Sequence, residues 1–316
     1  MDLLRRALNP WGQDVLIGLS WTLIWAAAVA GILFMVAHSI YVWRGGEPQR
    51  GSTTGGLSGG RASAVDETGT WQSVPGKVTR HTLASRLFHW TMAASVFALL
   101  ITAFFPLLDV RFDWVPLHYG AGVVLLGAVV YHIVHATFWQ GLGSMWIGRA
   151  DLREAWEMVN EVVGHKPLEI EKAGKYPVDH KAYHHVASIV TVAAIVTGVL
   201  MMFRVDTPFW DRSLYLFSDP TWGLIYVIHG VAGIALITLV MTHVYFALRP
   251  EKWWITRSMI KGWITRKEFL EHHDPARWRI RGAESTSEPR ELETVAAGTV
   301  DLDQTRDPHH NDQHPS

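Results

Sequence analysis

The chain has 316 residues, a formal net charge of −1 and 49% hydrophobic content. The balanced charge gives no reason to expect nucleic-acid binding, and the lack of cysteine excludes c-type haem attachment, thiolate-held iron–sulfur clusters and disulfides. The apolar residues gather into five blocks, each near or above the roughly 20 residues a helical span needs, which marks a polytopic membrane protein whose redox cofactors, if any, hang on His or Met.

The first block, 14–43, is too long for a signal-peptide core and lacks a clear small-residue cleavage site, so 1–44 is read as an extra transmembrane helix. Residues 45–79 follow as a flexible linker, with Gly-Gly-Glu-Pro at 45–48 and Gly-Gly-Leu-Ser-Gly-Gly at 55–60. Blocks at 87–107, 117–139, 183–204 and 222–248 then make a four-helix core within 80–280. Many of the 16 tryptophans, among them Trp43, Trp114, Trp139, Trp222, Trp253 and Trp254, stand at block edges as an aromatic belt. In the connection 140–182, Leu152, Ala155, Trp156, Val159, Val162 and Val163 follow Asp151 at helical spacing and predict a short amphipathic helix at the membrane interface. The polar tail 281–316 is expected to be disordered.

Charge orients the spans. The connection 44–86 carries Arg44, Arg50, Arg61, Lys77, Arg80 and Arg86, and the segment after the last block carries Arg249, Lys252, Arg257, Lys261, Arg266 and Lys267, so both are expected in the cytoplasm. The acidic loops 108–116 and 205–221 then face outward, and five spans put the N-terminus outside, against the mild contrary pull of Arg5 and Arg6. A multi-pass protein of the bacterial inner membrane is the expectation.

Nine of the 17 histidines fall in or close to the blocks: His38, His89, His118, His132, His135, His184, His185, His229 and His243. His229 and His243 are fourteen residues apart in one block. Fourteen helical steps rise about 21 Å and return to within about 40° of the same face. Imidazole is the commonest metal ligand, and ionisable groups in a span are costly unless paired, so this spacing points to two stacked, non-covalent b-type haems. His118 lies at the depth of His229, and His89 at that of His243. Gly122 and Gly233 follow His118 and His229 by one turn on the same face, where a porphyrin could lie; close helix packing through small residues is the bland alternative. His132 is also fourteen residues from His118, so a pairing of His132 with His243, as in the cytochrome b of quinol-oxidising bc complexes, is geometrically equivalent to one with His89. His38 and His135 are read as interfacial anchors. His184 and His185 are read as solvated or headgroup-facing, with proton delivery to a quinone as the lesser reading. His272, His273, His309, His310 and His314 lie in polar sequence.

Several ordered pieces resemble the cytochrome b (gamma) subunit of respiratory, membrane-bound formate dehydrogenase over about 80–280. They are Ser-Arg-Leu-Phe-His-Trp at 85–90, Leu-His-Tyr-Gly-Ala-Gly at 117–122, Gly-Lys-Tyr at 174–176, Ile-His-Gly-Val-Ala-Gly-Ile at 228–234, His-Val-Tyr-Phe-Ala at 243–247, Ser-Met-Ile-Lys-Gly at 258–262 and His-His-Asp-Pro-Ala-Arg-Trp at 272–278. The resemblance implies an all-α integral membrane protein, a four-helix di-haem cytochrome b core plus the extra N-terminal helix. It implies bis-His haems on His118 with His229, outside, and on His89 with His243, at the cytoplasmic side, leaving His132 as an extra. It also implies partners: a molybdenum or tungsten formate dehydrogenase catalytic subunit, which holds the formate chemistry, an iron–sulfur electron-transfer subunit, and menaquinone or ubiquinone. Where the family has an asparagine implicated in quinone binding after Gly-Lys-Tyr, this chain has Pro177, so quinone contacts are expected to move to Tyr176, Asp179, His180 or Lys181. A cytochrome b of a nickel–iron hydrogenase or thiosulfate reductase changes only the partner enzyme. A histidine-containing ion or metal transporter is the alternative from another class, and it predicts no haem absorbance.

Overall fold

The computed structural model describes residues 3–44, 74–140, 142–164, 172–275, 277–278 and 280. The Gly/Ser-rich stretch 45–73 and the tail 281–316 lie outside them, so the flexible-linker and disorder expectations for those stretches do too.

The described chain opens with a hairpin, β1 (Leu4–Leu8) antiparallel to β2 (Asp14–Leu19). The first apolar block is therefore not helical from 14. Its start is strand, Gly18 takes a positive φ of 146°, and Ser20 caps a helix that begins at Trp21, its side chain accepting from the Thr22 N–H. That helix, α1 (Trp21–Trp43), is followed by β3 (Lys77–Thr79). The core helices are α2 (Leu83–Phe104) and α3 (Trp114–His135), then the amphipathic α4 (Arg149–Gly164), then α5 (Val178–Met202) and α6 (Asp219–Leu248). Short α7 (Trp253–Lys261), β4 (Trp263–Thr265) and α8 (Arg266–His272) close the described chain.

Helices α1, α2, α3, α5 and α6 are the five that, among the described residues, are long and apolar enough to cross a membrane. Hydroxyls inside them are satisfied locally: Ser95, Thr102, Thr197, Thr238 and Thr242 each donate to the carbonyl one turn back. Apolar side chains such as Leu33, Ile133 and Ile189 stay exposed, as lipid-facing residues do. On α4, Leu152, Trp156 and Val159 are likewise exposed, which suits a helix lying on an apolar surface.

Helix α2 packs along α3 and α5 along α6, and the two hairpins meet through α3 and α5. Helix α6 makes no more than slight contact with α2 or α3; besides α5 it packs on β2 and α1 and, at its end, on α7. Glycines permit these approaches. A Cβ on Gly223 would sit 2.8 Å from the Leu16 carbonyl oxygen, one on Gly230 3.0 Å from the Leu19 side chain, and one on Gly31 3.1 Å from Met241. At the far end of α1, His38 Nδ1 lies 2.9 Å from the Tyr245 hydroxyl, so the anchor expected of His38 is a polar latch onto α6. His135 stacks between Tyr131 and Trp139, at 5.5 and 5.9 Å.

The end of the bundle opposite the 108–113 and 203–218 loops carries a small substructure. Strand β3 pairs antiparallel with β4, Val78 opposite Ile264, and Val74, Val78, Ile264 and Phe269 form a buried cluster with Trp254, Leu270 and Trp278 against it. The linker expected through 79 thus ends earlier, because Val74 and Val78 are core residues. His273 is not solvated as its polar sequence context suggests: it is 1% exposed, it donates from Nδ1 to the Gly174 carbonyl at 2.7 Å, and its Nε2 accepts from Arg80 at 2.8 Å. Arg80 in turn lies over the Trp254 and Trp278 rings. Burial, with the Arg80 cation adjoining, pushes His273 down to about 4. An imidazole held neutral by the fold takes up protons in the unfolded chain first, so between its ordinary value of about 6.5 and about 4 stability rises with pH. Acidification through that window is expected to loosen this substructure by up to about 3 kcal/mol. Hydrogen exchange of peptides covering 74–81 and 263–273 would speed up at pH 4.5 relative to pH 7.5 once intrinsic rates are divided out; equal protection would contradict the assignment.

Candidate functional site

The space between the two helix hairpins is framed by imidazoles. His229 and His243 leave the same face of α6, one towards each end, as fourteen helical steps require. Opposite His229 stands His118 of α3, with ring centroids 6.4 Å apart and ring planes at 69°. Opposite His243 stands His89 of α2, at 6.2 Å and 53°. A metal about 2 Å from one nitrogen of each ring, each nitrogen about 1.1 Å from its ring centre, requires centroids about 6 Å apart. Both pairs meet that requirement across helices that make no more than slight contact with one another. Next to His118, a Cβ on Gly122 would meet only Leu99 at 4.0 Å, and next to His229, one on Gly233 would meet nothing within 4 Å.

Two threonines that the sequence reading missed contact the pair nearer the loops. Thr102 Oγ1 is 2.8 Å from His118 Nδ1, and Thr197 Oγ1 is 2.9 Å from His229 Nδ1. Each hydroxyl has one proton and gives it to a backbone carbonyl, Ala98 at 2.7 Å or Ala193 at 2.6 Å. Each must then accept from the imidazole, which places the ring proton on Nδ1 and leaves Nε2 with a free lone pair. Both threonines are almost fully buried, at 3% and 5% exposure, so neither can exchange its imidazole for water. Gly198, beside Thr197, gives the His229 ring its clearance: a Cβ there would lie 3.3 Å from Cε1.

Near the opposite end, Tyr183 stacks on His243 at 5.4 Å and 25°. His132 does not face His243. Its ring lies flat on Phe88, 4.2 Å away at 10°, and edge-on to His184 at 6.2 Å and 61°. The His132–His184 separation matches those of the other two pairs, and it lies between α3 and α5, the helices through which the two hairpins meet. His185 turns away, its Nδ1 donating to the Lys181 carbonyl at 2.8 Å.

The residues expected around a quinone are divided. Lys181 binds both carboxylate oxygens of Asp151, at 2.9 and 3.0 Å, and so ties α5 to α4. Burial raises the Asp151 carboxyl, but the Gly148 N–H and the Lys181 ammonium outweigh it and hold the group below the usual carboxylate range. Tyr176 sits under the Lys175 ammonium at 5.3 Å, ahead of α5, and Asp179 and His180 lie in the first turn of that helix.

Comparison with known proteins covers most of this architecture. The model of the prokaryotic cytochrome b561 family matches residues 80–262, a stretch that contains all six of the facing histidines and excludes the hairpin and α1. The formate dehydrogenase cytochrome b556(fdo) subunits of Escherichia coli strains K12, O6:H1 and O157:H7 are each 26% identical to this chain over 227 residues, 67% of this chain and 96% of the relative.

Proposed function

Because the chain belongs to the prokaryotic cytochrome b561 family, and is thus a multi-pass membrane cytochrome b that transfers electrons, we propose that it is the membrane subunit of a formate dehydrogenase complex, passing electrons through two haems to a quinone. The observation that carries the reading is the pair of His–His gaps of 6.4 and 6.2 Å at the two ends of α6.

When bound, the two b haems supply reversible one-electron carriers, and four residues hold them: His118 with His229, and His89 with His243. Two imidazoles per iron leave no open position for oxygen chemistry. The buried threonines fix the donor nitrogens of His118 and His229 toward the gap. The surrounding apolar helices exclude water and keep the carriers in a low-dielectric slot, which sets their potential. The basic segments around 74–86 and 249–267 support a cytoplasmic position for the His89/His243 end, with the N-terminus outside. Electrons from an iron–sulfur subunit, fed by a molybdenum or tungsten formate dehydrogenase, then enter at His118/His229 and leave at His89/His243. There a menaquinone or ubiquinone takes two electrons and two protons. Membranes containing the complex are expected to show two b haems per chain, both reduced on addition of formate. A spectrum without haem would remove the cytochrome reading; haem reduced by another donor and not by formate would replace only the partner.

The threonines give a finer test. Thr197→Val keeps the side chain's shape and removes the acceptor of His229 Nδ1. Loss of such a partner typically weakens metal binding by about 10- to 100-fold. Transfer of haem to excess apomyoglobin, followed by absorbance, is expected to accelerate by that order in Thr197→Val, and further when Thr102→Val is added. Transfer at the wild-type rate in the double variant would show that the hydroxyls do not tune the site.

A further inference from the structure

The two facing pairs differ in what meets the second ring nitrogen of each imidazole. At His118 and His229 the Nδ1 proton goes to Thr102 at 2.8 Å and to Thr197 at 2.9 Å, and both hydroxyls are buried. At the opposite end neither imidazole has such an acceptor. Among the described residues His89 and His243 make ring contacts and no hydrogen bond, His89 edge-on to Trp90 at 5.3 Å and His243 face-on to Tyr183 at 5.4 Å. The acceptor closest to a helical side chain is the carbonyl one turn back, and this chain shows that use at His185, whose Nδ1 donates to Lys181 at 2.8 Å. For His243 the equivalent carbonyl is that of Leu239, and the Tyr183 hydroxyl donates to it at 3.1 Å. Tyr183 thus covers the His243 ring and occupies the matching oxygen. Charge differs too: Arg86 stands one turn ahead of His89 on α2, its guanidinium donating to the Ile260 carbonyl and paired with no carboxylate among the described residues.

An imidazole that donates its second N–H is a more basic ligand, and a more basic ligand favours ferric over ferrous iron because it sets more negative charge beside the higher positive one. A cation nearby acts in the opposite sense. We propose that Thr102 and Thr197 hold the His118/His229 carrier at a lower midpoint potential than the His89/His243 carrier, with Tyr183 and Arg86 keeping the second one high, so that an electron falls in energy from the loop end of the bundle to the opposite end. The proposal rests on reading each facing pair as the two ligands of one b haem. It makes the threonines and Tyr183 positioning residues, since each acts through the imidazole beside it. The direction of transfer then has a cause within this chain, independent of the donor enzyme and of the acceptor.

The test is a redox titration of the intact complex in detergent, with the haem bands followed by absorbance, so that the readout is a potential and not turnover. Two one-electron waves are expected, and the His229→Ala protein, which keeps one haem, is expected to show the higher of the two. Thr197→Val and Thr102→Val keep the shape of the side chain and remove the acceptor. An acceptor worth about tenfold to the ferric state, the low end of what such partners contribute, moves the lower wave up by about 59 mV in each variant and further in the double variant, while the higher wave stays. Tyr183→Phe keeps the stacked ring, frees the Leu239 carbonyl and is expected to bring the higher wave down. A lower wave that does not move in the double threonine variant with both haems retained, or a His229→Ala protein showing the lower of the two potentials, would overturn the proposal. An unchanged higher wave in Tyr183→Phe would strike that residue from it. A wild-type complex with fewer than two haems would remove the reading of the two pairs as haem ligands, and the proposal with it.

Discussion

Replacing His229 with alanine is expected to leave one haem per chain in place of two and to stop formate-driven quinone reduction, with the protein still inserted and extracted at normal yield. The loss is expected to be large because His229, a haem ligand in the function proposed above, is also the partner of three other features. Its ring is 6.4 Å from that of His118, it is fixed by Thr197, and it fills the clearance beside Gly198. Alanine leaves His118 without the ring that faces it at 6.4 Å. With that carrier gone, an electron must cross about 21 Å from one end of α6 to the other, the rise of fourteen helical residues, without an intermediate stop. The same haem is expected to disappear in His118→Ala. Haem-to-protein ratio and the reduced-minus-oxidised spectrum of both purified variants check this, and two normal haems in either one would refute the pairing.

The parts of the molecule that follow from local pattern were legible in the sequence. Hydropathy located all five spans, because burial in lipid acts on every residue of a 20-residue stretch, and the amphipathic run after Asp151 is helix α4. The common face of His229 and His243 follows from helix geometry alone. What depends on contacts between distant segments was not legible. Residues 14–19 read as part of a span because Val15, Leu16, Ile17 and Leu19 are apolar, yet they form a strand that seats on Gly223 and Gly230 of α6. Thr102 and Thr197 look like any hydroxyl in a membrane helix until His118 and His229 arrive from other segments. His273 lies in a polar stretch, and its burial depends on Arg80, Gly174 and two tryptophans gathered from three parts of the chain.

The fourteen-residue spacing from His118 to His132 is the place where pattern and packing part, and it yields the other large expected effect. His89→Ala is expected to lose the haem at the His243 end and with it quinone reduction, whereas His132→Ala is expected to keep two haems with normal spectra. Spacing treats His89 and His132 alike, since both sit at the depth of His243. The helix arrangement does not: His89 reaches His243 across the gap between α2 and α6, while His132 is turned toward α5, flat on Phe88 and facing His184. For His132 to serve His243, its ring would have to leave the Phe88 stack and cross in front of Tyr183, which already covers one face of His243. Haem content of the two alanine variants separates the schemes directly. One haem in His132→Ala with two in His89→Ala would reverse the assignment.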